Sequence, residues 1–318
     1  MTTPKLFIVI PCYNEQEALP ITAKRLVELT DDMLSRGLIA PASRIVLVDD
    51  GSRDGTWSVI RGLREADGRF EGVKLAHNAG HMNALWAGMT LSVERCDCVI
   101  TIDADLQDDV NAMYGFLEAY RNGADVVSGV RSSRKKDTWF KRTTAQGFYK
   151  MMAGLGVEMV YNHADYRLLS KRALEALLSF GEVNMFLRGM VPMLGFKTAK
   201  VYYERGERVA GESKYPLKKM IAFAMEGITS LSNKPIRYVL LLGALCALLG
   251  VGMAVYVIVA LVNGHAVAGW ASTMMSIWLL GGLQLMALGL IGEYVGKIYM
   301  ETKRRPKFIL EAHLKDGL

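Results

Sequence analysis

Two long stretches without charged side chains constrain this chain most. No Asp, Glu, Lys or Arg occurs from Tyr238 to Gly264 or from Ala266 to Gly292. Each stretch exceeds the roughly 20 residues that a helix needs to cross about 30 Å of hydrocarbon. Among the 318 residues, 51% are hydrophobic and 22% are charged, which excludes a disordered or fibrous chain. The pattern predicts a membrane protein with two spans after a soluble N-terminal part.

The basic residues predict how the chain is oriented in the membrane. They precede the first stretch and follow the second, at Lys214, Lys218, Lys219, Lys234, Arg237, Lys297, Lys303, Arg304, Arg305 and Lys307. Because Lys and Arg accumulate on the cytoplasmic side, the N-terminal part and both termini are expected in the cytoplasm. The net charge of +6 is likewise attributed to basic residues beside the membrane, and nucleic acid is not an expected partner.

The N-terminal part alternates short apolar runs with longer amphipathic ones. The runs Leu6–Ile10, Ile45–Val48, Val73–Ala76, Val99–Ile102 and Val126–Ser128 predict strands, and Glu17–Ser35, Thr56–Ala66, Met82–Val93 and Val110–Asn122 predict helices. This alternation is typical of an α/β fold with a mostly parallel sheet. Ligands bind beyond the carboxyl ends of the strands in such sheets. Carboxylates and turn residues follow these strands, so they are expected to meet at one rim.

Asp103 and Asp105 directly follow the fourth predicted strand. Carboxylates at this spacing suit a hard cation, Mg²⁺ or Mn²⁺, which proteins often hold with one or two carboxylates and substrate phosphates. Gln107 is close enough to add an oxygen ligand or a phosphate contact. A solvated turn is the simpler alternative. Asp50 also allows two interpretations: it is a turn residue, or it accepts hydrogen bonds from the N–H edge of a base.

Other nucleotide-binding classes lack support. No Gly-x-Gly-x-x-Gly follows the first strand, and no Gly-Lys-[Ser/Thr] loop is present, which disfavours dinucleotide oxidoreductases and P-loop NTPases. Four cysteines in a chain of this length do not form a disulfide framework.

Three motifs carry a family resemblance: Pro-x-Tyr-Asn-Glu at Pro11–Glu15, Asp-Asp-Gly-Ser-x-Asp-Gly-Thr at Asp49–Thr56, and Asp-Ala-Asp-Leu-Gln at Asp103–Gln107. In order and spacing they resemble family 2 glycosyltransferases of the GT-A fold. Three further features make the resemblance more specific: the segment Ala164–Arg167, Arg208 with the following Gly211–Lys214, and the two C-terminal stretches. With them, the chain resembles the polyprenyl-phosphate glycosyltransferases, which include dolichyl-phosphate mannose synthases and bactoprenol glucosyltransferases.

The resemblance implies roles for particular residues. Pro11, Tyr13, Glu15 and Asp50 would hold the nucleoside, and Asp103, Asp105 and Gln107 would meet the ribose, the diphosphate and the metal. Arg131, Arg208 and Lys214 would gather the phosphates of donor and acceptor, while Asp165 and Arg167 would line the sugar or acceptor side. Related sequences often carry Lys where His81 stands, so His81 is interpreted only as a helix-start residue.

The implied reaction is metal-dependent, inverting transfer of a hexose to undecaprenyl (bactoprenol) phosphate at the cytoplasmic face of a bacterial inner membrane. Glucose from UDP-glucose is the first candidate donor. GDP-mannose, a UDP-aminopentose, or a catalytically idle membrane scaffold are the alternatives. A homo-oligomer is compatible with a two-span anchor.

The expected domains are a catalytic GT-A domain over 1–212, an amphipathic interfacial helix over 213–235, a two-helix transmembrane hairpin over 236–300 and a cytoplasmic tail over 301–318. The basic residues 131–143 form either a solvated loop or a flap over the acceptor. Glu293, in the last apolar turns of the second span, is either functional or directed to the interface.

Overall fold

The computed structural model describes residues 3–132, 163–204, 232, 234–263 and 269–315. Its strands are Leu6–Cys12 (β1), Arg44–Asp49 (β2), Phe70–Leu75 (β3), Cys98–Thr101 (β4), Val126–Arg131 (β5), His163–Ser170 (β6), Thr198–Tyr203 (β7) and Leu310–Leu314 (β8). Its helices are Leu19–Ser35 (α1), Thr56–Ala66 (α2), His81–Ser92 (α3), Ala112–Arg121 (α4), Lys171–Leu178 (α5), Leu187–Met193 (α6), Lys234–Val262 (α7) and Trp270–Thr302 (α8).

The described strands form one mixed sheet in the order β7-β5-β6-β4-β1-β2-β3-β8. β1 pairs in parallel with β2 and β4, β2 with β3, and β5 with β7. β6 lies between β4 and β5 and is antiparallel to both, and β8 is antiparallel to β3. The predicted α/β class with a mostly parallel sheet is therefore confirmed.

Burial on both faces explains why the central strands form. All seven residues of β1 are buried. Leu6 and Ile8 belong to one core cluster, while Phe7 and Val9 belong to the other, because successive side chains of a strand point to opposite faces. On one face α1 buries Leu19, Thr22, Ala23, Leu26, Leu29, Thr30 and Met33, the spacing of an amphipathic helix.

The five predicted strands and four predicted helices are confirmed, each within three residues of its expected bounds. β6, β7 and β8 were not predicted as strands. β8 also shows that part of the expected tail, 301–318, adds an edge strand to the catalytic sheet.

The C-terminal part contains the two long helices α7 and α8. Counting only the residues that the structure describes, none of its helices is sufficiently long and apolar to span a membrane. Three parts of the prediction lie outside the described residues: positions 213–231 and 233 of the interfacial helix, the phosphate-binding candidates Arg208 and Lys214, and positions 133–143 of the basic loop. The last two positions of the predicted interfacial helix, 234 and 235, belong to α7.

Candidate functional site

The carboxyl ends of β1, β2, β3, β4 and β5 lie along one edge of the sheet, since these strands all run in the same direction. This confirms that the polar segments after them meet at one rim. β6 runs the opposite way and begins at the same edge. Asp165, the third residue of β6, therefore lies at the rim.

The segments after β1 and β2 are joined by hydrogen bonds. The Asn14 amide donates to Ser52 Oγ at 3.0 Å, the Arg53 amide donates to Asn14 Oδ1 at 2.8 Å, and the Glu15 amide donates to Thr56 Oγ1 at 2.9 Å. Asn14 has a φ of 57°, a left-handed conformation that Asn tolerates better than most residues. The structure thus brings the predicted nucleoside-binding segment around Tyr13 and Glu15 against the segment that carries Asp50. The Tyr13 side chain is exposed and Pro11 is buried.

Asp50 connects the segments after β2 and β3. Its Oδ1 accepts from the Ala79 amide at 2.7 Å, and its Oδ2 accepts from the Gly80 amide at 3.0 Å. Burial raises the pKa of Asp50 and the neighbouring Asp49 adds to that effect, while the two amides oppose it. Each carboxylate oxygen can accept a second hydrogen bond, so a base N–H remains a compatible partner. Asp49 has the turn role, because its Oδ1 accepts from the Ser52 amide at 3.0 Å.

Gly51 makes the close approach at Asp50 possible. Its φ is +64°, and a Cβ at this position would lie 2.5 Å from the Asn78 amide nitrogen and 2.5 Å from the His77 carbonyl carbon. Only glycine combines this conformation with this proximity.

The turn after β4 presents Asp103, Asp105 and Gln107. The Gln107 amide donates to Asp105 Oδ1 at 3.1 Å, across Leu106, which has a φ of 51°. Although 40% of the Asp103 side chain is exposed, the crowded rim buries enough of the carboxyl group to raise its pKa to about 6. The carboxylates of Asp165, Asp108 and Asp105 raise it further, against the opposing effect of His81.

The chemistry of this turn fits the predicted cation. Within the described ranges, no group of three or more His, Cys, Asp and Glu side chains is arranged to hold a metal ion. Mg²⁺ and Mn²⁺ do not require such a group, because one or two carboxylates and substrate phosphate oxygens suffice. Burial is the main cause of the raised pKa of Asp103, and the neighbouring carboxylates of Asp165, Asp108 and Asp105 add to it, so negative charge also gathers around this turn. Asp103, Asp105 and Gln107 therefore remain the candidates for holding the ion.

Asp165 forms a buried ionic cluster with two arginines. Arg167 Nη2 donates to Asp165 Oδ1 at 2.5 Å, and Arg188 Nη2 donates to Asp165 Oδ2 at 2.8 Å. Burial by itself would raise the pKa of Asp165, but the guanidinium groups of Arg188 and Arg167 hold it well below its usual range. The structure thus brings the predicted pair Asp165 and Arg167 together. Sequence reasoning missed Arg188, which lies on α6 and belongs to none of the recognised motifs.

His81 lies between the carboxylates of Asp103 and Asp165. It is the first residue of α3, as predicted, and its Nε2 lies 3.6 Å from Asp103 Oδ1 and 3.9 Å from Asp165 Oδ2. The sequence signal for the proximity of His81 to these two aspartates was its position after β3, on the same rim. His81 is therefore a site residue as well as a helix-start residue.

Arg131, at the end of β5, is held by an aspartate that sequence reasoning missed. Its Nη2 and Nε donate to Asp108 Oδ1 at 3.1 and 3.3 Å, and the Tyr203 hydroxyl donates to the same oxygen at 2.6 Å. Asp108 is buried and directly follows Gln107 in the motif, which was the available signal. Because a guanidinium has five N–H donors, Arg131 can bind Asp108 and still meet a phosphate.

Comparison with known proteins assigns the chain that carries this rim to a family. The model of "Glycosyl transferase family 2" matches residues 7–178, more than half of the chain. The chain belongs to glycosyltransferase family 2. A second model, "GtrB C-terminal hairpin", matches residues 234–298, which contain α7 and most of α8.

Similar proteins match this glycosyltransferase over almost its whole length. The uncharacterized glycosyltransferase YkoT of Bacillus subtilis is 51% identical, covering 98% of this chain and 92% of YkoT. The bactoprenol glucosyl transferase of Shigella phage SfV is 37% identical and the prophage bactoprenol glucosyl transferase homolog of Escherichia coli K12 is 36% identical. Both cover 96% of this chain and 98% of their own length. The glycosyltransferase is thus a homologue of the bactoprenol glucosyl transferases.

Proposed function

We propose that this glycosyltransferase moves glucose from UDP-glucose to undecaprenyl phosphate, with inversion at the anomeric carbon, at the cytoplasmic face of a bacterial inner membrane. One observation carries the proposal. A rim suited to a nucleotide sugar and a hairpin of the GtrB type occur in one chain, and relatives named bactoprenol glucosyl transferases share both parts at 36–37% identity.

The segments after β1 and β2 support binding of the nucleoside. Asp50 is buried, its amide donates to the Cys12 carbonyl at 2.8 Å, and its carboxylate has acceptor capacity for a base N–H, while the exposed Tyr13 offers an aromatic face. The hydrogen bonds between these segments hold the two segments together before the donor arrives.

Asp103, Asp105 and Gln107 are the residues that would hold Mg²⁺ or Mn²⁺. A divalent cation bound there would neutralise charge on the departing nucleoside diphosphate. Asp103 and Asp105 supply the anionic oxygens, and Asp103 is already surrounded by other carboxylates, whose mutual repulsion a positive charge relieves.

The acceptor needs orientation more than deprotonation, because a lipid phosphate is already anionic near neutral pH. Arg131 and Arg188 are each partly exposed and each anchored by a buried aspartate, so their guanidinium planes are fixed before the phosphate binds. The depressed pKa of Asp165 keeps it ionised, which suits an anchor for Arg188 and not a proton acceptor. Arg208 and Lys214 are proposed to add to this phosphate-binding set.

The hairpin is proposed to keep this site at the membrane surface. Counted on the full sequence, both charge-free stretches are longer than a span requires, and the basic residues lie on the side of the catalytic domain. A polyprenyl chain leaves the bilayer at a cost of about 0.8 kcal/mol per CH₂, so the enzyme must reach the headgroup plane. The segment 213–235 is proposed to lie in that plane as an amphipathic helix.

The proposal is tested by sugar transfer into organic-extractable lipid. The purified full chain is supplied with undecaprenyl phosphate and, in separate reactions, with labelled UDP-glucose, UDP-galactose, UDP-N-acetylglucosamine or GDP-mannose, each with and without a chelator. Label in the lipid from UDP-glucose alone, abolished by chelator and by Asp105→Ala, is the expected result. Label from another donor would refute the glucose assignment, and no label from any donor would refute the reaction.

A further inference from the structure

The end of the hairpin is bonded directly to the catalytic domain. Glu301, in the last turn of α8, accepts from the Val183 amide at 2.8 and 2.9 Å, from the Asn184 amide at 2.8 Å and from Asn184 Nδ2 at 2.6 Å. A carboxylate at the C-terminal end of a helix is unfavourable for that helix, because the macrodipole is negative there. Glu301 therefore does not stabilise α8 through the dipole, and its charge is compensated by the segment that it binds.

The same segment is held from a second side by the tail. Lys307 Nζ donates to the Phe180 carbonyl at 3.0 Å and lies 3.4 Å from the centre of the Trp86 ring. Burial in this position lowers the pKa of Lys307 to about 8. Phe308 packs against one of the two core clusters, and β8 then joins the sheet beside β3. Residues 180–184 are thus held by two side chains: Glu301 at the end of α8 and Lys307 between α8 and β8.

Residues 180–184 lead straight into the acceptor half of the site. Phe186 is buried, the Leu187 carbonyl accepts from Arg167 Nη1 at 3.2 Å, and Arg188 bonds to Asp165. Only three residues separate Asn184 from Arg188 along the chain. Because these residues are packed, a displacement of the Val183 and Asn184 amides is transmitted to the Arg188 guanidinium.

We propose that Glu301 is a positioning residue for transfer: through Val183 and Asn184, the cytoplasmic end of the hairpin sets the place of Arg188 at the acceptor half of the site. The inference rests on the proposed function, since it assigns the lipid phosphate to Arg188. It gives a reason for the catalytic domain and the hairpin to lie in one chain, because a helix proposed to lie in the membrane then fixes the group that meets the lipid headgroup.

The test compares Glu301→Gln with Glu311→Gln in the full chain, reconstituted in lipid vesicles. Glu311 is the matched control, since it lies in the same tail, is about half exposed and bonds Lys74 at 2.6 Å. Loss of the charge-assisted bonds in Glu301→Gln is expected to raise the KM for undecaprenyl phosphate about tenfold and to leave UDP affinity, measured by calorimetry, within about twofold. Glu311→Gln is expected to match the wild type in both.

A double-mutant cycle separates positioning from a structural role. In an Arg188→Lys background, Glu301→Gln should change the acceptor KM by less than about twofold, because the residue through which Glu301 acts has gone. An equal effect in both backgrounds, or an unchanged acceptor KM in Glu301→Gln, overturns the inference.

Amide hydrogen exchange tests the link without any acceptor. Glu301→Gln is expected to speed exchange at residues 183–190 and to leave β1 unchanged, and unchanged exchange at 183–190 would overturn the inference. If the wild type transfers no sugar while this exchange effect is present, the proposed function fails and the link between hairpin and site stands.

Discussion

Replacing Asp165 by Asn tests the buried ionic cluster in the proposed acceptor half of the site. The substitution keeps the shape of the side chain and removes its charge. Arg167 and Arg188 would then share a neutral amide. Only 3% of the Arg167 side chain is exposed, so water cannot replace the lost carboxylate there.

The expected size of the effect follows from burial. Removing one partner of a buried ion pair costs about 3–5 kcal/mol, because the remaining charge stays buried without compensation. Asp125→Asn provides the matched control: Asp125 is as buried as Asp165, but its partner Arg172 is 65% exposed. An exposed arginine recovers its hydration when the pair is broken, and such pairs contribute about 0–1 kcal/mol.

The assay is urea unfolding of the full chain in detergent, followed by tryptophan fluorescence at pH 7. Asp165→Asn should lower the free energy of unfolding by at least about 2 kcal/mol more than Asp125→Asn does. Because the folded pKa of Asp165 is lowered, its contribution is complete above the unfolded pKa of about 3.9 and declines as the pH falls below it. Equal losses in the two variants would refute the argument from burial.

Three further predictions concern the rest of the molecule. Gly51→Ala should weaken UDP binding about tenfold and destabilise the fold by more than Gly37→Ala does. Gly37 has nearly the same φ, but nothing lies within 4 Å of a Cβ placed there, so Gly37→Ala should cost only about 1–2 kcal/mol. Equal losses in the free energy of unfolding of the two variants would contradict the close approach at Gly51. Asp105→Asn should lower the transfer rate about a hundredfold at saturating Mn²⁺, and a wild-type rate in the radiolabel assay would remove Asp105 from the site. The pKa of Glu71 is lowered to about 2, where Arg95 and His313 outweigh its burial, so Glu71 should contribute about 3 kcal/mol of stability that is complete above pH ~4.5 and lost as the pH falls to ~2. Urea midpoints between pH 7 and pH 2.5 should therefore fall more steeply in wild type than in Glu71→Gln, and parallel curves would contradict this.

The proposed nucleotide half of the site was predictable because it depends on local pattern. Short apolar runs in regular alternation with helices predict a parallel sheet, and parallel strands bring their following segments to one rim. Asp50, Asp103 and Asp105 could be placed together on that basis alone. Their hydrogen bonds could not, since the contact of Asp50 with the Ala79 amide depends on the conformation of Gly51.

The proposed acceptor half was less predictable because it depends on pairs that are distant in sequence. β6 carries the buried Asp165 and Arg167 in the middle of its apolar residues, and this charged pair hides the pattern of a buried strand. Arg188 is recognisable only by its contact with Asp165, and Tyr203 only by its contact with Asp108, 95 positions away. No local spacing in the sequence encodes such contacts.

β8 was missed for a similar reason. It is a short amphipathic segment that follows the hairpin, and its pairing with β3 joins parts of the chain more than 200 residues apart. Residues after a predicted membrane hairpin are ordinarily interpreted as a tail. Here Lys74 and Glu311 form an ion pair across the two strands, which supports the antiparallel pairing.

The anomeric configuration of the lipid product tests the central claim most directly. The purified chain in vesicles is given UDP-glucose and undecaprenyl phosphate, and the extracted lipid is examined by mass spectrometry and by proton NMR of the anomeric position. UDP-glucose carries an α-linked glucose, so direct attack by the lipid phosphate predicts a glucosyl-phosphate lipid in the β configuration. An α-linked product, or no glucosylated lipid, would contradict the account.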